Sequence, residues 1–269
     1  MINGVGLGLR PKYLDELSAN DTAIKWLEIL ADNYHDLGNP VVDKICKLLQ
    51  KYPCVMHSVN LSLASSEPLN EDYWVSLKKV VNHFKPKWLS DHLCFTHSKN
   101  KYFHELIPFP FTYNSLDNIA NKIDRIQTEL KIPFLIENIS SYIRFKYSEM
   151  SEGEFIRELS RKSGCKILLD VNNIAVTCKN HNESISDYCC EIPFDQVMQI
   201  HLAGAMAKNN LLIDTHSTPI TDQVLSLYRD IIKKHGQIPS CLEWDMDLPE
   251  YDQIIEEVNK IDGILTGKS

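Results

Sequence analysis

No Cys-x-x-Cys pair occurs in this chain, although it carries eight cysteines, at positions 46, 54, 94, 165, 178, 189, 190 and 241. That absence removes zinc ribbons and thioredoxin-like redox motifs. Basic excess is missing too. Lys and Arg number 28 against 36 Asp and Glu, a formal net charge of −8, and no Lys/Arg-rich block occurs. An electrostatic nucleic-acid binder has no footing in such a sequence. No apolar run approaches the roughly 20 residues of a membrane span. The opening MINGVGLGLRPKYLDEL has neither the basic start nor the apolar centre of a secretory signal. A reducing, cytoplasmic setting is therefore expected. Most of the cysteines, set in contexts such as PCVMH and GCKILLD, are then expected to act as small buried hydrophobes. There is also no GxxxxGK[ST] phosphate loop and no GxGxxG opening a helix after a strand. GVGLGLR has the glycines but runs into Arg10-Pro11.

What is present is an ordinary globular composition, 43% hydrophobic and 24% charged, which excludes disordered, collagen-like and coiled-coil chains. Eight short, nearly continuous apolar runs stand out: Gly4–Leu9, Trp26–Leu30, Cys54–His57, Trp88–Leu93, Pro133–Glu137, Lys166–Val171, Val197–Leu202 and Ser240–Trp244. Their length and Val/Ile/Leu content suit strands buried on both faces of a parallel sheet. Between them, apolar residues recur at spacings of three and four over Asn39–Lys51, Asn70–Phe84, Tyr113–Leu130, Ser151–Ser163, Thr221–His235 and Pro249–Ile261. Pro11–Ser18 and Glu183–Cys190 repeat the pattern more weakly. Ser151 with Glu154, and Thr221, supply helix-start signals. Eight strands alternating with helices predict a closed (β/α)8 TIM barrel, with a doubly wound open sheet as the rival. No linker or repeat divides residues 1–269, so one catalytic domain is expected.

In such a barrel, function sits at the C-terminal ends of the strands. Those ends share one chemistry. WLEIL carries Glu28. CVMHS ends at His57, with Asn60 beyond; WLSDHL brings Asp91 and His92; PFLIEN ends at Glu137 and Asn138. KILLDVNN ends at Asp170, Asn172 and Asn173; VMQIHL ends at His201; CLEWD ends at Glu243 and Asp245. Asp214-Thr215-His216 is expected in the loop after the seventh strand. An imidazole or carboxylate at the end of an apolar strand needs a partner or a metal. Six strands in succession ending this way predict a metal centre. The candidate donors are His57, His92, His201, His216, Glu137, Asp170, Asp214 and Glu243, with Asn173 as a neutral oxygen and no cysteine. Such donors suit Fe, Mn or Zn. They are too many for one ion and fit two or three, with Glu137 and Asp170 as natural bridges.

The spacing His201…Asp214-x-His216…Glu243, preceded by His57, His92, Glu137 and Asp170, resembles the trinuclear site of endonuclease-IV and xylose-isomerase-like barrels. The endonuclease pattern has a histidine three residues after the Asp, where this chain has Asn173. A closer likeness is to the multinuclear non-heme iron-dependent oxidative enzymes, TIM-barrel proteins that modify cysteines in ribosomally made peptides. GVGLGLRPKYLDEL, WLEIL-x-DNY, MHSVNLSLAS, LSDHLCF, IENISSY, LLDVNNI, QIHLAGA, IDTHS and LEWD all look like that family's blocks and span about residues 4–250. Length and the DVNN wording are most like the methanobactin-biosynthesis branch. That branch converts peptide cysteines to oxazolone–thioamide groups.

The resemblance implies two or three iron ions, with O2 as co-substrate. It implies a precursor peptide with leader and core cysteines as substrate, and an MbnC-like partner protein. Carried over by position, His57, His92 and Glu137 would hold one iron. Glu137, Asp170, His201 and Glu243 would hold a second, and Asn173, Asp214 and His216 a third. Asp245 is a candidate proton-transfer group. Asn60, Asp91, Asn138 and Asn172 are expected to orient the ligands. His35 and His104 are expected in loops near the active face, with His83, His97, His181 and His235 solvated. The segment Tyr102–Tyr113 (YFHELIPFPFTY) is expected to be an apolar loop, packing across the barrel mouth or binding the leader or a partner. The competing expectation is a metal-dependent hydrolase or isomerase on the same barrel.

Overall fold

All eight apolar runs become strands of one parallel sheet that closes on itself in the computed structural model, which describes residues 2–98 and 101–268. The strands are β1 (Val5–Gly8), β2 (Ile24–Leu30), β3 (Cys54–Ser58), β4 (Leu89–His92), β7 (Phe134–Glu137), β8 (Lys166–Asp170), β9 (Val197–Leu202) and β12 (Ser240–Leu242). The pairs β5 (Phe95–Ser98) with β6 (Lys101–Ile107), and β10 (Ala205–Lys208) with β11 (Leu211–Asp214), form separate two-stranded hairpins. The helices are α1 (Leu14–Ala19), α2 (Pro40–Leu48), α3 (Glu71–Phe84), α4 (Tyr113–Leu130), α5 (Glu152–Ser163), α6 (Val171–His181), α7 (Ile185–Glu191), α8 (Asp222–His235) and α9 (Tyr251–Thr266). The barrel, not the open sheet, is the architecture. No described helix is long and apolar enough to cross a membrane.

Local chemistry sets the helix starts. Asn39, Asn70, Thr112, Ser151, Ser184 and Thr221 each accept a hydrogen bond from a backbone N–H in the first turn of the helix that follows. Helix α5 ends at Gly164 in the left-handed region, where a Cβ would be strained.

Side chains alternate across a strand, so one column of each barrel strand points inward. The lower part of that column packs as an apolar plug of Trp26, Val55, Trp88, Leu135, Leu168 and Cys241. Two residues further along each strand the column turns polar: Glu28, His57, Ser90, Glu137, Asp170 and Glu243. Register then sets these residues side by side across the mouth. His92 lies opposite Glu137, and Asp170 opposite His201.

Three expectations need correction. Tyr102–Tyr113 is not a loop throughout, because Lys101–Ile107 pairs with Phe95–Ser98 as a hairpin. Asp214 ends strand β11 rather than lying in a loop. Helix α6 was not expected at all. It starts on the residue after β8 with no intervening loop, so its apolar residues read as a continuation of the strand.

Candidate metal centre

Strands β3, β4 and β7 bring together the first group of donors. Glu137 Oε2 lies 3.3 Å from His57 Nε2 and 3.4 Å from His92 Nε2, and the two imidazole nitrogens are 3.4 Å apart. Yet Oε2 is buried with no hydrogen-bond partner. The hydrogen-bond network says why. Ser90 Oγ lies 3.3 Å from the Met56 carbonyl and 2.8 Å from His57 Nδ1; when the hydroxyl donates to the carbonyl, its oxygen accepts from Nδ1. With the proton on Nδ1, His57 Nε2 presents a lone pair to Glu137. Burial, then the neighbouring His92, pushes His57 well below its ordinary pKa, and burial takes His92 down to about 4. Both rings are neutral, as metal ligation requires. Lone pairs converging without a proton between them fit a cation.

The second group lies across β7, β8, β9 and the end of β12. One donor atom each from Glu137, Asp170, His201 and Glu243 lies within 4.8 Å of the others. His201 Nδ1 is 3.1 Å from Glu137 Oε1 and 3.0 Å from Glu243 Oε2. Asp170 has two tasks. Its Oδ1 caps α6 by accepting from Asn173 N at 2.6 Å, while Oδ2 is buried and unpartnered. Burial drives Asp170 well above the ordinary carboxylate range and Glu137 up to about 7. For Glu243, burial is outweighed by His201 and His216, which hold it well below its usual value. His201 and His216 run the other way: burial disfavours their charge, but the surrounding carboxylates raise both well above an ordinary histidine. Without a cation, carboxylates packed this closely need protons to balance them, a task a bound cation takes over by displacing those protons.

A third group differs from the expected one. His216 Nδ1 lies 3.2 Å from Glu243 Oε2 and 3.4 Å from Asp245 Oδ2, and its Nε2 lies 2.8 Å from Asp214 Oδ1. Asp245 thus joins His216 and Glu243. Asn173, the expected neutral oxygen donor, has its Oδ1 buried and without a hydrogen-bond partner, while its amide donates to the Asn138 carbonyl at 3.0 Å. Asp245 is the most exposed member and pairs with Arg10, which also donates to the Trp244 carbonyl at 3.0 Å.

The expected orienting residues divide. Asn138 clamps Asp170 by bonding both its N–H and its carbonyl, at 2.9 and 3.0 Å. Asn172 donates to Asp214 Oδ1 at 2.9 Å. Asp91 accepts from Ser58 Oγ and from the backbone of Leu61 and His92. Among the described residues, Asn60 shows no side-chain hydrogen bond to the donors. It donates to Asp32, which also takes the Val59 N–H and the Tyr73 hydroxyl. His35 sits by Ser76, 2.8 Å away, and His97 is buried rather than solvated. The His104 side chain lies outside the described residues.

Several functional neighbours were not read as such from the sequence. Glu28 Oε1 lies 2.7 Å from His201 Nε2, so that ring is held from beneath by a carboxylate. Gln199 bridges Glu28 at 2.6 Å and the Trp88 indole at 2.7 Å. The signal was a charged residue in the middle of WLEIL. Cys241, placed outside the donor set by sequence, groups with Glu28 and His201, its Sγ 3.9 Å from Glu28 Oε1. Burial, then the Glu28 charge, pushes this thiol well above its ordinary pKa, so it stands there as a neutral thiol.

A (β/α)8 barrel whose mouth gathers imidazole and carboxylate donors belongs, as a class, among the TIM-barrel enzymes with side chains able to hold metal ions. The chain belongs to the family of RiPP precursor modification enzymes MbnB/TglH/ChrH, whose model matches residues 4–266. A UPF0276 protein of Acaryochloris marina is 36% identical over 264 residues, covering 98% of this chain and 95% of the relative. Among solved structures, D-allulose 3-epimerase from a Methylomonas species superposes with a TM-score of 0.61 at 11% identity, over 99% of this chain and 96% of that one. The IOLI protein with a bound zinc atom gives 0.57 at 11%, over 98% of each chain. These structural likenesses carry the xylose-isomerase-like barrel fold.

Proposed function

We propose that this protein is an iron- and O2-dependent oxidase that modifies cysteine residues of a ribosomally synthesised precursor peptide. The observation that carries the metal reading is Glu137 Oε2, buried, unpartnered and faced by two neutral imidazoles. Nitrogen and oxygen donors of this kind suit iron. His57, His92 and Glu137 would hold one ion, and Glu137, Asp170, His201 and Glu243 a second. Asp214 and His216, with Asn173, are the proposed third set. Iron bound there would supply Lewis acidity toward a cysteine thiolate and redox capacity toward O2.

The chain's own groups do the rest. Ser90 keeps the His57 proton on Nδ1, and Glu28 orients His201. Asp245, on the open rim beside His216, accepts or returns the substrate's proton. The segments that follow the barrel strands expose Tyr102, Phe103, Tyr142, Ile143, Tyr147 and Met206, apolar surface suited to a peptide and to an MbnC-like partner protein. The specific product we assign is the oxazolone–thioamide pair of methanobactin-type peptides, supported by the DVNN block. All eight cysteines are free, in keeping with a reducing cytoplasm.

The deciding experiment is anaerobic purification followed by metal analysis and Mössbauer spectroscopy. O2 uptake and peptide mass are then followed with a cysteine-containing precursor peptide and its neighbouring-gene partner. Iron content, O2 consumption and a mass change on cysteine are expected. Turnover of a sugar or of abasic DNA with zinc or manganese, without O2, would move the protein to the isomerase or hydrolase class.

A further inference from the structure

Beside the barrel mouth, the segment after β7, the start of α5 and helix α7 enclose a cavity of about 310 Å3. It begins one residue past His92 and two past Glu137, at Leu93 and Ile139, yet contains none of the candidate metal ligands. One part of its wall is apolar, with Phe109, Phe111, Ile139 and Met150. The other part is acidic. Glu152, Glu183, Asp187 and Glu191 face Arg144 alone among basic residues of the lining. Arg144 is already committed, because its Nε and Nη2 both donate to Glu183. Glu191 accepts from Ser151. Asp187 is exposed, which leaves Glu152 as the buried carboxylate of this wall, only 7% exposed, with Oε2 lacking a hydrogen-bond donor; the buried Tyr188 hydroxyl leans on the same carboxyl group and has no other partner.

Buried polar atoms of this kind are rare in folded proteins and call for a reason. A buried carboxylate oxygen without a donor, beside a phenol oxygen able to accept, in a cavity whose other wall is apolar fits one ligand chemistry: a cationic head on an alkyl stem. We propose that this cavity binds a basic side chain, lysine or arginine, of the precursor peptide, anchoring the chain next to the barrel mouth. The assignment rests on the reading of the substrate as a peptide but not on the identity of the metal. Phe109 and Met150 pack the methylene stem, and Glu152 with the Tyr188 oxygen takes the N–H donors. Because the cavity's lining reaches Leu93 and Ile139, just past His92 and Glu137 in sequence, an anchor in it limits which stretch of peptide can reach the donor cluster. Burial first, opposed by Arg144, raises the Glu152 carboxyl to about 7, so it is substantially ionised at neutral pH and available to a cation.

The test uses the full-length protein and the tripeptide Ac-Ala-Lys-Ala-amide, compared by ligand-observed NMR with its norleucine analogue and with free butylammonium. The lysine peptide is expected to bind at least tenfold more tightly than the norleucine peptide, and E152Q to abolish that difference. Metal content is read in parallel and is expected to be the same in E152Q and the parent, which separates this site from the metal centre. Equal binding of the lysine and norleucine peptides overturns the proposal, and so does undiminished discrimination in E152Q. Free butylammonium binding as tightly as the peptide overturns the assignment to a peptide side chain.

Discussion

Ser90 is the smallest residue with a large consequence. Its hydroxyl lies between the Met56 carbonyl and His57 Nδ1, so donating to the first and accepting from the second selects the His57 tautomer that ligation needs. Groups that orient a metal-binding histidine typically contribute 10–100-fold in metal affinity. S90A should therefore weaken metal binding by about that factor in a competition titration with a chromophoric chelator, while circular dichroism stays that of the parent. Unchanged affinity would mean that the proton on His57 is set elsewhere. Glu152 offers a second residue-scale test, through stability. Its folded-state value, about 7, lies above the ordinary 4.5. The folded state thus holds this proton more tightly than the unfolded chain does. Its contribution is fully present below the unfolded pKa and is lost as pH rises through the folded one. Between about pH 5 and pH 8 the parent should lose on the order of 2 kcal/mol more stability than E152Q does. Urea denaturation at the two pH values reads that difference directly, and equal slopes would remove the unpaired-carboxylate picture.

At the scale of elements, sequence reading succeeded where one physical rule governed a segment and failed where two met. The barrel strands were legible because burial on both faces forces continuous apolar runs, and their polar ends were legible because an apolar run that stops at His or Glu is a discontinuity. The helix starting at Ser151 was legible from its cap, which accepts from Glu154 N. Helix α6 was hidden because Asp170 serves at once as the last residue of β8, the cap of α6 and a candidate ligand. The β10–β11 hairpin was hidden for a different reason. Its strands are exposed and short, without a buried face to impose a pattern. Tertiary bonds hold it: Asn180 bonds both the N–H and the carbonyl of Leu212, and the Tyr142 hydroxyl accepts from Asp214 N. Glu28 was visible in sequence but not readable as functional, since its partner His201 is 173 residues away and only the barrel's closure brings them together.

At the scale of the whole molecule, the inward column of the barrel divides the fold into an apolar plug that supplies stability and a donor layer that subtracts from it. Carboxylates and imidazoles packed at the mouth are costly when no cation joins them, since each buried charge must be paired or neutralised. A metal binding only the folded state returns that cost. By linkage, an ion present a thousandfold above its dissociation constant adds about 4 kcal/mol. For a chain of this size each kcal/mol moves the melting temperature by roughly 2–4 °C. Stripping metal with a chelator should therefore lower the melting temperature by roughly 8–15 °C, and restoring iron anaerobically should recover it. E137Q separates the two contributions. Replacing this carboxylate, whose Oε2 has no donor, by an amide removes a buried charge while an amide oxygen can still accept from His201 Nδ1, so the stripped variant should melt at or above the stripped parent. The same change deletes the ligand shared by the first two donor groups, so added iron should raise its melting temperature far less. A variant that loses stability when stripped and still gains it fully from iron would show that Glu137 is a structural carboxylate, with the metal seated on other donors.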